Sequence, residues 1–254
     1  MNLENAVKYH FAKSTMISDS PRATASDSLT GTDIMAAIGM TQTRAALGFS
    51  AFLGKMDISD YDRDRAIGLL TQYAMEQCDK VAALRKLETD IKLKVMQVLA
   101  TFAFADYARS AASTRTCDCC QGNKFVEAQV MTMKHIGRPN LEERRETVRV
   151  LCHKCKGKGV LTNACQCNGK GMVLDKEKTI LQGGVPVYKT CRRCNGRGYA
   201  RLLPDSVRKY ICATVMDIPE TTWRRSYRDF FESLVGECIK QEEYANRMLN
   251  KVTQ

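Results

Sequence analysis

Apolar residues recur every three or four positions over both flanks of the chain and every second position in its middle. Leu3, Val7 and Phe11 give residues 3–13 a short helical pattern. Residues 14–32 break it with Ser, Thr, Asp and Pro21, which reads as a linker. Thr32 can cap a helix over 33–38 that Gly39 ends, and Thr41 starts a second one through Ala45, Leu47, Phe49, Phe52 and Leu53. This pair, 32–56, has the outline of a helix-turn-helix with a DNA-binding role left open; two packed helices of an all-α domain explain it equally well.

Ser59 with Asp62 opens a third helix as cap and acidic first turn, followed by Ile67, Leu70, Tyr73, Ala74, Cys78, Val81 and Leu84. A fourth, from about 90 to 112, repeats the period through Ile91, Val95, Val98, Leu99 and Phe102. The period then falls to two over 124–133, 147–151 and 172–188, the last with a turn at Gln182, Gly183 and Gly184. Hairpins this short bury no core of their own.

After Pro204 the helical period returns. Asp205 can cap a helix to about Val215 that faces inward through Val207, Ile211 and Val215. Pro219 suits the first turn of the next helix, with Asp217 and Glu220 spaced as a capping box. Trp223, Tyr227, Phe230, Phe231 and Leu234 form its inward stripe; Thr221, Thr222, Arg224, Arg225 and Arg228 lie opposite, an array suited to phosphates and base edges in a DNA major groove. Small Ala213, where the first helix must be approached closely, and Ile218 between the helices support a helix-turn-helix. Asp217, standing where glycine usually makes the turn, and bulky Trp223 favour a surface helix decorated with arginine over an aromatic core stripe.

The sequence thus divides into an N-terminal helix and linker (1–30), an α-helical domain (31–114), a small β-hairpin module (115–200) and a C-terminal helix-turn-helix-like region (201–254). The fold class is mainly α with the hairpin module inserted between helical regions.

The module carries the chemistry. Cys117-x-x-Cys120-x-Gly122, Cys152-x-x-Cys155-x-Gly157-x-Gly159, Cys165-x-Cys167-x-Gly169-x-Gly171 and Cys191-x-x-Cys194-x-Gly196-x-Gly198 are four knuckles. Each offers a thiolate pair, and the glycines let the backbone turn its amides toward the sulfurs. Two pairs close a tetrahedral site, so the four supply two zinc ions and leave no position for water or substrate. Cys119 is a spare thiol that could take the place of Cys117. Cys78, Cys212 and Cys238 sit in apolar helical stretches as small hydrophobes, and His135 and His153 are surplus to two filled tetrahedra.

Charge follows the same segment. Residues 1–114 carry 13 Lys and Arg against 13 Asp and Glu, residues 115–200 carry 17 against 7, and residues 201–254 carry 9 against 8. Each four-thiolate zinc site contributes about −2, so part of the cationic charge compensates sulfur. The remainder favours nucleic acid or an acidic surface as partner. With no apolar run of about 18 residues and no cleavable N-terminal signal, the chain is expected in the cytoplasm with no membrane partner. Twelve cysteines there argue for metal over disulfides.

The knuckles resemble the cysteine-rich domain of DnaJ co-chaperones. That resemblance implies one zinc on Cys117, Cys120, Cys191 and Cys194 and the other on Cys152, Cys155, Cys165 and Cys167. Two departures are the missing last glycine of the first knuckle and the contraction of the third. The N-terminal part has neither the His-Pro-Asp motif nor the Gly/Phe-rich linker of a DnaJ protein. In overall layout, and in residues 219–225 (Pro-Glu-Thr-Thr-Trp-Arg-Arg), the chain is similar to the lambdoid phage Q-type late antitermination proteins. The resemblance implies a phage or prophage factor that binds double-stranded DNA at a late promoter and engages the paused bacterial RNA polymerase with its primary sigma factor. Loaded polymerase, with NusA as host accessory, then reads through terminators. The alternative is a zinc-dependent chaperone or thiol-disulfide factor. An enzyme is not expected, because closed sites and three scattered histidines offer no nucleophile and base.

Overall fold

The computed structural model describes residues 2–10, 31–135 and 141–253. The chain forms two units, one from residues 1–108 with 202–254, the other from 109–201.

The first unit is helical: α1 (Leu3–His10), α2 (Gly31–Arg44), α3 (Ala46–Lys55), α4 (Asp60–Gln77), α5 (Ala82–Arg85), α6 (Thr89–Tyr107) and α8 (Pro204–Thr214). It ends in α9 (Glu220–Thr222), a π turn over Trp223–Tyr227 and α10 (Arg228–Val252), which run on as one rod. Two buried clusters hold it. Leu70, Leu84, Met96, Leu99, Ile211, Trp223, Phe231 and Leu234 belong to one, and Leu3, Val7, Ile34, Phe49, Leu53 and Leu249 to the other. α10 enters both, so residues far apart in sequence share one core. Gly48 of α3 lies where a Cβ would collide with the Gln241 carbonyl of α10, so a side chain here would force the two helices apart. Beside it Glu242 takes Lys55 at 2.9 Å and the Tyr107 hydroxyl at 2.7 Å.

Ser59 caps α4 by accepting from the Asp62 amide at 3.1 Å, as its sequence position predicts. The expected break at Gly39 does not occur. α2 runs through Gly39 to Arg44, since one interior glycine costs a helix only about 1 kcal/mol; the Thr41 hydroxyl donates back to the Ala37 carbonyl at 2.8 Å, inside the helix, and caps nothing. The turn falls at Ala45 instead. Residue 11 and the 14–30 linker lie outside the described residues.

Two C-terminal caps also differ from expectation. Leu203 precedes α8 with Pro204 in its first turn and Asp205 already inside it, and Pro219 precedes α9 with no side-chain cap. Ala213 is exposed, and α8 packs on α6, where Tyr210 meets Phe102 edge-on at 5.1 Å. Ile218 is buried as expected, its carbonyl accepting from Arg208 at 3.2 Å.

Among its described residues the second unit has three two-stranded antiparallel pairs: β1 (Thr114–Thr116) with β4 (Val160–Thr162), β2 (Phe125–His135) with β3 (Leu141–Leu151), and β5 (Met172–Leu174) with β6 (Tyr188–Thr190). β2 and β3 pair from Phe125 opposite Leu151 to His135 opposite Leu141, a longer arm than the alternation predicts. Between β5 and β6 the expected strand arms are replaced by α7 (Lys176–Leu181). Asp175 turns the chain there by accepting from the Lys178 amide, and Gly183 and Gly184, both at positive φ, close it. Among the described residues no helix is long and apolar enough to cross a membrane.

Candidate metal centres and nucleic-acid face

The buried residues of the second unit are mostly its cysteines. Cys117, Cys120, Cys152 and Cys155 gather with Val126 and Leu161 beside them, and Cys165, Cys167, Cys191 and Cys194 gather beside Val173. Within each group all four Sγ atoms lie within 4.8 Å of one another. Sulfurs facing across the knuckles are 3.8 Å apart for Cys117 and Cys152, 3.6 Å for Cys120 and Cys155, 3.9 Å for Cys165 and Cys191, and 3.8 Å for Cys167 and Cys194. Four thiolates at the zinc–sulfur distance of about 2.3 Å on a tetrahedron stand about 3.8 Å apart, so the cages fit such an ion. Both can hold a metal with every position taken by protein.

Backbone geometry builds the cages. The amides of Gly159, Gly171 and Gly198 donate to the sulfurs of Cys155, Cys167 and Cys194, each at 3.3 Å. The opening thiols of three knuckles, Cys117, Cys152 and Cys191, are drawn below their ordinary value chiefly by the amides of Cys120, Cys155 and Cys194, Cys191 to about 7. Burial pushes Cys120 up to about 11, and Cys167 upward as well. A bound metal ion would displace the thiol protons and offset the cost of burying charged sulfur.

The pairing corrects the one that the DnaJ resemblance implies. The first knuckle joins the second and the third joins the fourth. Crossed backbone bonds enforce it: the Cys117 amide donates to the Gly159 carbonyl and the Cys152 amide to the Lys124 carbonyl, both at 2.9 Å. Cys165 donates to Gly198 and Cys191 to Gly171, both at 2.8 Å. A Cβ on Gly198 would run into the Gly169 carbonyl, and one on Gly171 into that of Gly196. Lys124 stands where the first knuckle lacks its last glycine and holds the left-handed conformation itself, at φ 67°.

Cys119 is exposed while Cys117 lies in the cage. His153 is exposed as well. Cys78 and Cys238 are buried among helices, with burial pushing the Cys238 thiol up to about 12, and Cys212 is half-buried.

On the C-terminal rod Trp223, Tyr227, Phe230, Phe231 and Leu234 are all buried, Trp223 and Tyr227 stacked at 6.0 Å. Their burial turns Thr221, Arg224, Arg225 and Arg228 to the exposed side, with Thr222 half-exposed. Arg224 pairs with Glu220 and Arg228 with Glu232, each one turn away. Among the described residues no carboxylate pairs with Arg225.

A family model described as antitermination protein Q matches residues 23–111 and 159–246. The stretch between them holds the β2–β3 arm and all four cysteines of the first thiolate cage. Over the full length of both chains the sequence is 42% identical to the prophage antitermination protein Q homolog QuuQ of Escherichia coli strain K12. It is 37% identical, again over the whole of both chains, to antitermination protein Q of Escherichia phage lambda and to that of Salmonella phage P22. With a family match on both flanks of the cysteine unit and relatives alike over the full length of both chains, the chain belongs to the antitermination protein Q family.

Proposed function

We propose that this transcription antitermination factor binds double-stranded DNA at a phage or prophage late promoter through the start of its C-terminal rod. It engages the paused bacterial RNA polymerase carrying its primary sigma factor, and with NusA as accessory it carries the enzyme through terminators in the host cytoplasm. Thr221, Thr222, Arg224, Arg225 and Arg228 make the DNA contacts, in a helix-turn-helix-like role with α8. The observation that carries the reading is Arg225, an exposed guanidinium without an acidic partner among the described residues, held on a helix whose far side is pinned by buried Trp223 and Tyr227. A guanidinium so placed can take the two acceptors of a guanine edge. Arg224 and Arg228 can exchange their exposed intrahelical carboxylates for phosphates at small cost, since such pairs contribute little.

The eight knuckle cysteines hold two zinc ions in this reading, and the cages set the shape of the 115–200 module that polymerase meets. The chain carries out no catalysis. Division of labour follows the sequence, with 31–114 and 201–254 as helical working parts before and after the module in the chain.

Transcription from a late promoter through a downstream terminator tests the reading. The wild-type chain is expected to raise read-through. Arg225→Ala is expected to lose about 1–3 kcal/mol of site-specific DNA affinity and read-through with it. Full operator affinity in that variant rejects the assignment.

A further inference from the structure

Each thiolate cage is built from two knuckles joined crosswise, so the second and fourth knuckles occupy equivalent places in two like frames. Aligned on their cysteines, Lys154 corresponds to Arg193 and Lys158 to Arg197, while Lys156 adds a cation in the first frame. All five are exposed. Lys154 pairs with Asp118. Lys156, Lys158, Arg193 and Arg197 make no ion pair and no side-chain hydrogen bond among the described residues.

Their surroundings concentrate charge. Residues 109–124 and 152–201 carry 14 Lys and Arg against 3 Asp and Glu, whereas the β2–β3 arm at 125–151 carries 5 against 4. Two filled four-thiolate sites take back only about four charges. The knuckle body stays cationic and the arm near neutral.

The ligand must therefore be a polyanion, and the knuckles narrow its kind. None of the four, over residues 117–124, 152–159, 165–171 and 191–198, contains Phe, Tyr or Trp. Single-stranded nucleic acid is held by stacking its bases on aromatic rings, and the knuckle turns offer none. Free cations on rigid turns, repeated at equivalent stations, suit the phosphate backbone of a duplex.

We propose that Lys156, Lys158, Arg193 and Arg197 form a sequence-independent grip on the phosphates of double-stranded DNA, two cations from each thiolate cage. The proposal rests on the DNA-binding reading for its ligand class, but it is separable from the role of Arg225. Arg225 governs discrimination between sites, and the knuckle cations govern affinity for any duplex.

The test titrates the full-length, metal-loaded chain with a random-sequence DNA duplex over a series of salt concentrations, following fluorescence anisotropy. Lys156→Gln with Lys158→Gln is expected to reduce the slope of log affinity against log salt by about 1.8, at roughly 0.9 for each phosphate left without its cation. Arg193→Gln with Arg197→Gln is expected to do the same, and all four together to reduce it by about 3.6. The charge-keeping set K156R, K158R, R193K and R197K retains the wild-type slope and the wild-type metal content. An unchanged slope in the four-fold glutamine variant overturns the proposal. So does a weakening seen with single-stranded RNA while duplex affinity holds, or a reduced slope in the charge-keeping set. Lost discrimination in Arg225→Ala with an unchanged random-duplex slope leaves this proposal standing, and the reverse pattern leaves the other.

Discussion

The helical unit and the cysteine unit solve the same problem with different material. Trp223, Phe231, Leu70 and Leu99 vanish entirely from solvent in the first, and apolar burial accounts for its stability. In the second the buried side chains are mostly sulfur, with Val126, Leu161 and Val173 only partly covered. Strands of three residues and one two-stranded arm are too small to fold on apolar burial alone. The first unit can tolerate imperfect chemistry if volume is kept. The second depends on ligand number and on turns that only a few conformations satisfy.

The largest effect expected from that difference is selective unfolding by chelation. A structural metal such as zinc contributes about 10–16 kcal/mol of apparent folding free energy in small domains, so stripping metal from the cages should collapse residues 114–198. Trp223 is the only tryptophan and lies in the helical unit, so its fluorescence should stay native. Amide exchange should accelerate in the knuckles and leave α4, α6 and α10 protected. Exposure of Trp223 on chelation would deny the two units separate supports.

The converse damage is smaller. Trp223→Ala should cost about 3–5 kcal/mol, a large buried ring removed from the helical core, while metal content stays unchanged. Thermal denaturation and metal analysis on one sample check both halves.

Two glycines sharpen the contrast at the level of one methyl group. Gly198, at φ 81°, faces the Gly169 carbonyl, so Gly198→Ala should destabilise the cysteine unit by more than about 1 kcal/mol. Gly39 sits inside α2 with nothing within 4 Å of a new Cβ, so Gly39→Ala should stabilise the helical unit by about 0.4–1 kcal/mol. Denaturant midpoints of the two variants should move in opposite directions.

What the sequence disclosed follows the range of the forces involved. Ser59 and the aromatic stripe from Trp223 to Leu234 are local signals and occupy their expected places, and the eight cysteines gather in two groups of four, though not in the expected pairing. Gly39 misleads because the roughly 1 kcal/mol that one interior glycine costs a helix is outweighed by packing of the same helix through Ile34, Ala37 and Thr41. The 176–181 helix was hidden by alternation in its flanks, and its signal was Asp175, whose side chain accepts from the backbone amide three residues on. The sharing of a core between α10 and the N-terminal helices is long-range and leaves no periodic trace. Knuckle pairing is of that kind too, since it is set by backbone bonds between segments well separated in sequence, where spacing alone allows either arrangement.

Replacing Cys117, Cys120, Cys152 and Cys155 together with alanine, then counting metal by native mass spectrometry, tests most directly that each cage is closed by consecutive knuckles. The account predicts that one ion per chain remains, held by the intact set of Cys165, Cys167, Cys191 and Cys194. A variant without any bound metal, as the first-with-fourth and second-with-third arrangement requires, would contradict it.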